Sequence, residues 1–326
     1  MRAYIIKRLL VLIPTLLILS FVVFFLIRLI PGDIIDAMGA ADPSAELDRA
    51  MLERKLGLDV PAIVQYGRWM GIAPQADGSF SGIFQGSLGS SWRQQGATVV
   101  ELLDKVWPVT LELSILALII SQIIALPVGI YSALRQDNWG DYIGRSFAIL
   151  CISVPGFWLG TMVIVLPSIW WGYTPSIMLI HFTEDPIGNL KMFIVPAIIL
   201  GMALSGATMR MTRTMMLEVL RQDYIRTAWA KGLRERVVIL RHALKNALIP
   251  VVTIIGIQVP TLIGGAVIIE QIFCLPGVGR LVISAVIERD EPLVGGIILF
   301  FAVGLVLINL MVDLTYAFLD PRIHYK

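Results

Sequence analysis

The sequence predicts an all-α, polytopic integral membrane protein with six transmembrane helices. Three observations carry this expectation. Of its 326 residues, 57% are apolar and 15% are charged, whereas soluble domains run nearer half apolar and a quarter charged. The mean hydropathy is +0.80. Uncharged runs of roughly 20 residues, the length that crosses a bilayer core, recur along the chain. A water-soluble protein of this composition would leave large apolar patches uncovered. Disorder, collagen and a disulfide scaffold are excluded by the same figures. The formal charge of +2 gives no reason to expect a nucleic-acid partner. The two cysteines, Cys151 and Cys274, stand in no C-x-x-C or zinc spacing.

The runs follow in order. Leu9–Ile27 is the first, and the basic residues Arg2, Lys7 and Arg8 precede it. It is longer than the apolar core of a signal peptide and no small-x-small site follows, so it reads as an uncleaved anchor. Leu113–Leu134 is the second. Ser146–Ile180 is too long for one crossing and reads as a span to about Ser168. The Trp170-Trp171-Gly172-Tyr173 cluster then sits at an interface, where aromatic belts lie. Met192–Met209, Asn246–Ile269 and Pro292–Val312 complete the set. The chain thus divides into an anchor helix at 1–30, an extracytoplasmic segment at 31–105 and a five-helix core at 106–326. Within 31–105, Asp42-Pro43 reads as an N-cap followed by Pro at the first helical position. Leu47, Met51 and Leu52 follow at helical spacing, and Gly57 stops the helix. A segment of this length without disulfides makes a marginal core, so it reads as cover over the membrane part.

Orientation follows from the placement of Lys and Arg. Arg210–Lys245 carries nine Lys/Arg against three acids, a net +6. That short connection belongs on the cytoplasmic side, together with both termini. Pro31–Lys105 carries six Lys/Arg against ten acids, a net −4, and faces outward.

Chemistry of its own is not legible in the chain. It has no G-x-x-x-x-G-K-[ST], no H-E-x-x-H and no G-x-S-x-G. The three histidines, His181, His242 and His324, fall in different segments. The near-membrane charges Arg28, Glu112, Glu270 and Asp313 stand near span ends, where snorkelling or capping accounts for them. No enzyme activity, cofactor or metal is expected.

The informative stretch is Glu218–Pro250. A short helix runs from Asp223 as N-cap to Gly232 just past its end. Ile225, Ala228 and Trp229 share one face of it at i, i+3 and i+4. Tyr224 flanks that face, while Arg226 and Lys231 lie off it. A second helix, Glu235–Asn246, leads into the fifth span. Two readings fit: a basic amphipathic loop on anionic lipid, or a knob whose apolar tip enters a groove on a partner. The small residues Ala228, Ala230 and Gly232 favour docking, because they permit close approach.

This stretch resembles the cytoplasmic signature of permease subunits of ATP-binding cassette importers. Arg226-Thr227-Ala228 stands where the general pattern has Glu-Ala-Ala, and Gly232 is correctly spaced. Pro250 comes eighteen residues after Gly232, where the general pattern has about thirteen. Arg226–Leu233 and Arg241–Pro250 are instead similar to the peptide/nickel permease branch, with Trp229 as an unusual residue. Further similar blocks run along the chain in order. They are Leu29-Ile30-Pro31-Gly32-Asp33, Leu56-Gly57-Leu58-Asp59, Gln65-Tyr66, Ser153-Val154-Pro155 with Phe157-Trp158, Ile269–Phe273, Pro276–Arg280 and Asp313–Arg322.

The resemblance implies a permease subunit of the bacterial inner membrane that forms half of a translocation path for a small peptide-like solute. It implies a second homologous permease, two ATP-binding subunits and an extracytoplasmic solute-binding protein as partners, all set in the lipid bilayer. It makes Tyr224, Arg226, Thr227, Ala228 and Gly232 the candidate contact to the ATPases. Thr253, Gln258 and Thr261 on the fifth span are candidates for the translocation path. Helix–helix hydrogen bonding is the competing role for these three side chains. A stand-alone secondary transporter or channel is the alternative function. It would need ion or proton groups of its own at the midplane.

Overall fold

Apolar length decides most of the architecture. The computed structural model describes residues 2–29, 35–36, 48–94, 96–172 and 178–319. Helices α1 (Arg2–Arg28), α2 (Arg49–Leu56) and α3 (Ala62–Met70) come first. Then follow α4 (Val99–Leu134), α5 (Trp139–Ser153), α6 (Gly156–Trp171) and α7 (Pro186–Leu220). The short α8 (Asp223–Ala230) leads to α9 (Glu235–Ile272), which contains a π-helical stretch at Val238–Ala243. Helices α10 (Val278–Ile287) and α11 (Glu291–Leu319) complete the chain.

Among the described residues, α1, α4, α7, α9 and α11 are each long and apolar enough to cross a membrane. The sixth expected span differs from its sequence reading. Ser146–Ser168 is not one rod: α5 and α6 meet at 89° across Val154-Pro155. Proline removes a backbone donor and pushes the residue before it out of the helical region. Val154 accordingly lies at φ −81°, ψ 120°. The pair makes a sixth span only as a bent one. Its far end matches expectation in part, because α6 stops at Gly172 (φ 64°) behind two exposed indoles, Trp170 and Trp171. Tyr173 lies outside the described residues.

Two compact units emerge. The first comprises Met1–Pro108 with Gly277–Leu307, and the second Val109–Pro276 with Ile308–Lys326. Gly277–Leu307 thus groups with Met1–Pro108. In the first unit α3 lies on α1. The Phe24 and Tyr66 rings meet edge-on at 5.3 Å, and the Ser20 and Tyr66 hydroxyls are 2.9 Å apart. Val99, Leu102 and Leu103 pack with Val278, Leu293 and Ile297 into one buried cluster. A capping box opens α4: Thr98 N–H donates to Glu101 and Glu101 N–H to Thr98 Oγ1, at 3.1 and 3.2 Å. Buried Asp290 ties the Ser91–Arg93 loop to α11. It accepts from the Ser91 hydroxyl and from the Trp92, Arg93 and Leu293 N–H groups. Ser91, Val99, Leu102 and Leu103 thus pack into the core of this unit.

Helix α2 gives the described part of 31–105 its first cap. Its N-cap is Asp48, whose carboxylate accepts from Met51 N–H at 3.1 Å, and it stops at Gly57 as expected. Asp42, Pro43 and Leu47 lie outside the described residues. So do Pro31, Gly32 and Asp33, and the Asp320-Pro321-Arg322 and His324 end of the chain.

Helix α7 is the axis of the second unit. Phe193, Ala197 and Leu200 on it pack with Val109 and Leu113 of α4 and with Leu262, Ala266 and Ile269 of α9. Gly201 permits a close approach: a Cβ there would stand 2.6 Å from the Ala117 carbonyl oxygen of α4.

Candidate functional site

The candidate site is the connection from α7 through α8 into α9. Helix α8 begins after Gln222, at φ −72°, ψ 148°, so the N-cap falls one residue before the expected Asp223. Asp223 occupies the first turn, where a carboxylate favours the helix dipole. The exit is as the sequence indicated. Gly232 takes φ 71° and its N–H donates to Trp229 O at 2.9 Å, while Leu233 N–H reaches Ala228 O at 3.4 Å. Both bonds together form a Schellman close. A Cβ on Gly232 would meet nothing within 4 Å, so only backbone strain opposes substitution. Gly232→Val is expected to weaken the loop by about 1–2 kcal/mol through that strain alone. Faster proteolysis of the loop with unchanged membrane insertion would register it; unchanged proteolysis would remove the strain argument.

The structure splits the expected docking face. Ile225 is fully buried and Ala228 is 7% exposed, whereas Trp229 is 44% exposed. Ile225 and Ala228 belong to a buried cluster with Ala133 of α4, Met216 of α7, and Val238, Ile239, Ala243 and Ala247 of α9. Ala228 is therefore packed inside its own chain, on the side of α8 turned to this cluster. The reason is that one turn of apolar residues must cover the chain's own cluster before any face remains for a partner. Tyr224 braces the loop: its hydroxyl accepts from Asn246 Nδ2 at 2.8 Å. Arg226, Thr227 and Trp229 face outward. The Arg226–Asp223 pair, at 3.4 Å between exposed groups, adds little stability. Thr227 Oγ1 returns to Asp223 O at 3.0 Å.

Beside this cluster in the chain stands an ion pair that the sequence reading missed. Asp141 of α5 is fully buried and accepts from Arg213 of α7 twice, from Nε at 2.7 Å and Nη2 at 2.6 Å. The Ser132 hydroxyl and the Asp137 N–H, at 3.1 Å, complete its coordination. Arg213 precedes Met216 by one turn, and Ser132 precedes Ala133. The pair thus fixes α5 against α7 next to the base of the loop. Nothing in the sequence joins positions so far apart; the one signal was a carboxylate opening an apolar helix.

The candidates for the translocation path fare differently. Gln258 is buried and joins two helices: its Nε2 donates to Leu204 O at 3.0 Å and its Oε1 accepts from Thr208 Oγ1 at 3.3 Å. Its amide is thus committed to α7, as the competing helix–helix reading had it. Thr261 is exposed, its hydroxyl donating to Gln258 O at 2.6 Å, and Thr253 donates to Ile249 O at 3.3 Å. Of the near-membrane charges, Glu270 departs most from the snorkelling expectation. It is fully buried and accepts from Thr110 Oγ1 at 2.6 Å. Arg28 is held by Glu291 at 3.2 Å.

Comparison with known proteins adds the following. Residues 125–325 match the family described as the binding-protein-dependent transport system inner membrane component, and residues 1–114 match its N-terminal companion family. The dipeptide transport system permease protein of Alkalihalophilus pseudofirmus is 40% identical over 351 aligned residues, covering all of both chains. The oligopeptide transport system permease protein of Bacillus subtilis is 37% identical, again over all of both chains. Among solved structures, an inward-facing form of a methionine ATP-binding cassette transporter aligns with a TM-score of 0.55 at 17% identity. The match covers 67% of this chain and 96% of that one, and it supports the fold alone.

Proposed function

Because this chain belongs to the inner membrane component family of binding-protein-dependent transport systems, we propose that it is the first permease of an importer for small peptide-like solutes. As a multi-pass inner membrane component it is not itself catalytic, and ATPase and binding-protein partners come with the family. The finer assembly is a second, homologous permease completing the path, two ATP-binding subunits on the cytoplasmic side and a solute-binding protein outside. The observation that carries the substrate class is full-length similarity at 37–40% to dipeptide and oligopeptide permeases.

The loop between α7 and α9 receives the mechanical input in this reading. The net charge of +6 across Arg210–Lys245 supports a cytoplasmic position for it and for both termini. An outward face of Arg226, Thr227 and Trp229 stands on a buried base of Ile225 and Ala228. A partner pressing on that face moves α7 and α9 together, because the base packs on both. Rigid-body switching between two states then opens the path to one side at a time.

Two measurements test the reading. Uptake of labelled dipeptide into cells should require this chain together with its partner ATPases, and no uptake from the full system would sink the substrate class. For orientation, cysteine placed at Ser79 should react with an impermeant maleimide in intact cells whose outer membrane has been permeabilised. Cysteine at Glu235 should stay unlabelled. The reverse pattern would invert the topology.

A further inference from the structure

The first unit bears a half-open cavity of about 590 Å³ that plays no part in the proposed coupling. Its wall includes Arg28, Arg54, Arg68, Trp69, Trp92 and Glu291. The three arginines are not equivalent. Arg28 is committed to Glu291, to Gln65 Oε1 at 2.7 Å and to the face of Phe24. Arg68 has a neutral partner, its Nε donating to Pro74 O at 3.1 Å. Arg54 is exposed and forms no side-chain hydrogen bond or ion pair among the described residues. The other carboxylate on the wall, Asp77, is engaged by the Ser79 N–H and hydroxyl at 2.9 and 2.7 Å. Among the described residues, two guanidinium groups therefore line one cavity with no carboxylate paired to either.

We propose that this cavity binds a carboxylate-bearing solute of dipeptide size, with Arg54 and Arg68 taking the oxyanion and Trp69 and Trp92 flanking the remainder. The planar fork of arginine matches a carboxylate with two parallel hydrogen bonds. Indole faces supply apolar area with little loss of side-chain freedom. The volume falls in the range of about 300–1,000 Å³ that small-molecule sites occupy, and an inorganic anion alone would leave most of it empty. The inference rests on the proposed function for its choice of probe, since a peptide-like solute ends in a carboxylate. It adds a solute site on the segment that reading places outside the membrane. A lipid phosphate offers similar oxyanion chemistry, and the experiment separates the two sources.

The test uses the full chain in phosphatidylcholine nanodiscs, titrated calorimetrically with dialanine, with dialanine C-terminal amide and with inorganic phosphate. Dialanine should bind, and the amide and phosphate should bind at least tenfold more weakly. Arg54→Gln and Arg68→Gln should each weaken dialanine by about ten- to hundredfold, the weight of a charged hydrogen bond, and leave the amide unchanged. Arg54 is exposed and unpaired among the described residues, so its replacement keeps the fold, and Arg54→Lys should restore part of the affinity. Equal binding of acid and amide overturns the proposal, as does dialanine binding unchanged in both glutamine variants. Suppression of dialanine binding in phosphatidylglycerol discs also overturns it, by assigning the cavity to a headgroup. Normal dipeptide uptake by cells carrying the Arg54→Gln/Arg68→Gln chain, with binding lost, would leave the proposed function standing without this site as a requirement. Absent binding in the wild-type chain with normal uptake would remove the site alone.

Discussion

Aspartate at Ala228 is expected to abolish uptake while the subunit still enters the membrane. Ala228 is 7% exposed and sits among Ala133, Met216, Val238 and Ala243. A carboxylate there would be desolvated against apolar side chains with no cation facing it. Such a charge costs roughly 3 kcal/mol or more, and α8 would leave its seat before bearing that cost. The spans should insert as before, because their apolar runs are untouched. Limited proteolysis of inside-out vesicles should then cut the loop much faster, and ATPase subunits should co-purify less. Substitutions on the outward face separate this effect from a direct contact. Arg226→Glu or Trp229→Ala should lower ATPase recovery without changing protease resistance. Normal uptake and a protease-resistant loop in Ala228→Asp would show that the buried base carries no function.

Removing Arg213 is expected to give the second large effect. Arg213→Met leaves the Asp141 carboxylate buried with only the Ser132 hydroxyl and one backbone N–H. Breaking one side of a buried ion pair costs about 3–5 kcal/mol, since the remaining charge stays out of water. Replacing both partners by apolar residues of similar volume is far milder, for the same reason. Arg213→Met should therefore lower the thermal midpoint of the detergent-purified chain sharply, and Arg213→Met/Asp141→Leu should recover most of the loss. Arg213→Lys should fall between, because an ammonium cannot donate the two parallel bonds that Nε and Nη2 make. A double variant as unstable as Arg213→Met would show that the pair contributes packing and not compensation of charge.

The spans were legible because hydropathy is a local property. A run such as Leu10–Arg28 needs no neighbour to be read as helix and as membrane-crossing. The exit of α8 was legible too, since a glycine after an apolar-periodic turn meets a backbone requirement, φ 71° at Gly232, that is set within a few residues. The angle of the bend at Pro155 was not legible, because a proline permits a kink and the neighbours fix its angle.

What the sequence determined by itself is the class of this protein: an all-helical membrane permease with one short basic loop, fixed by apolar run length and by the ordered motifs. What only the tertiary structure decided is which face of each helix is spent inside the chain. Ile225, Ala228 and Trp229 are equivalent as a pattern, and the cluster around Met216 and Val238 takes two of them and leaves Trp229 out. Gln258 is a polar residue on an apolar span in either role, and the Leu204 carbonyl and Thr208 hydroxyl on α7 claim its amide. Asp141 and Arg213 became partners because α5 and α7 pack side by side. Burial and pairing belong to contacts between segments far apart in the chain, and a linear pattern carries no term for them.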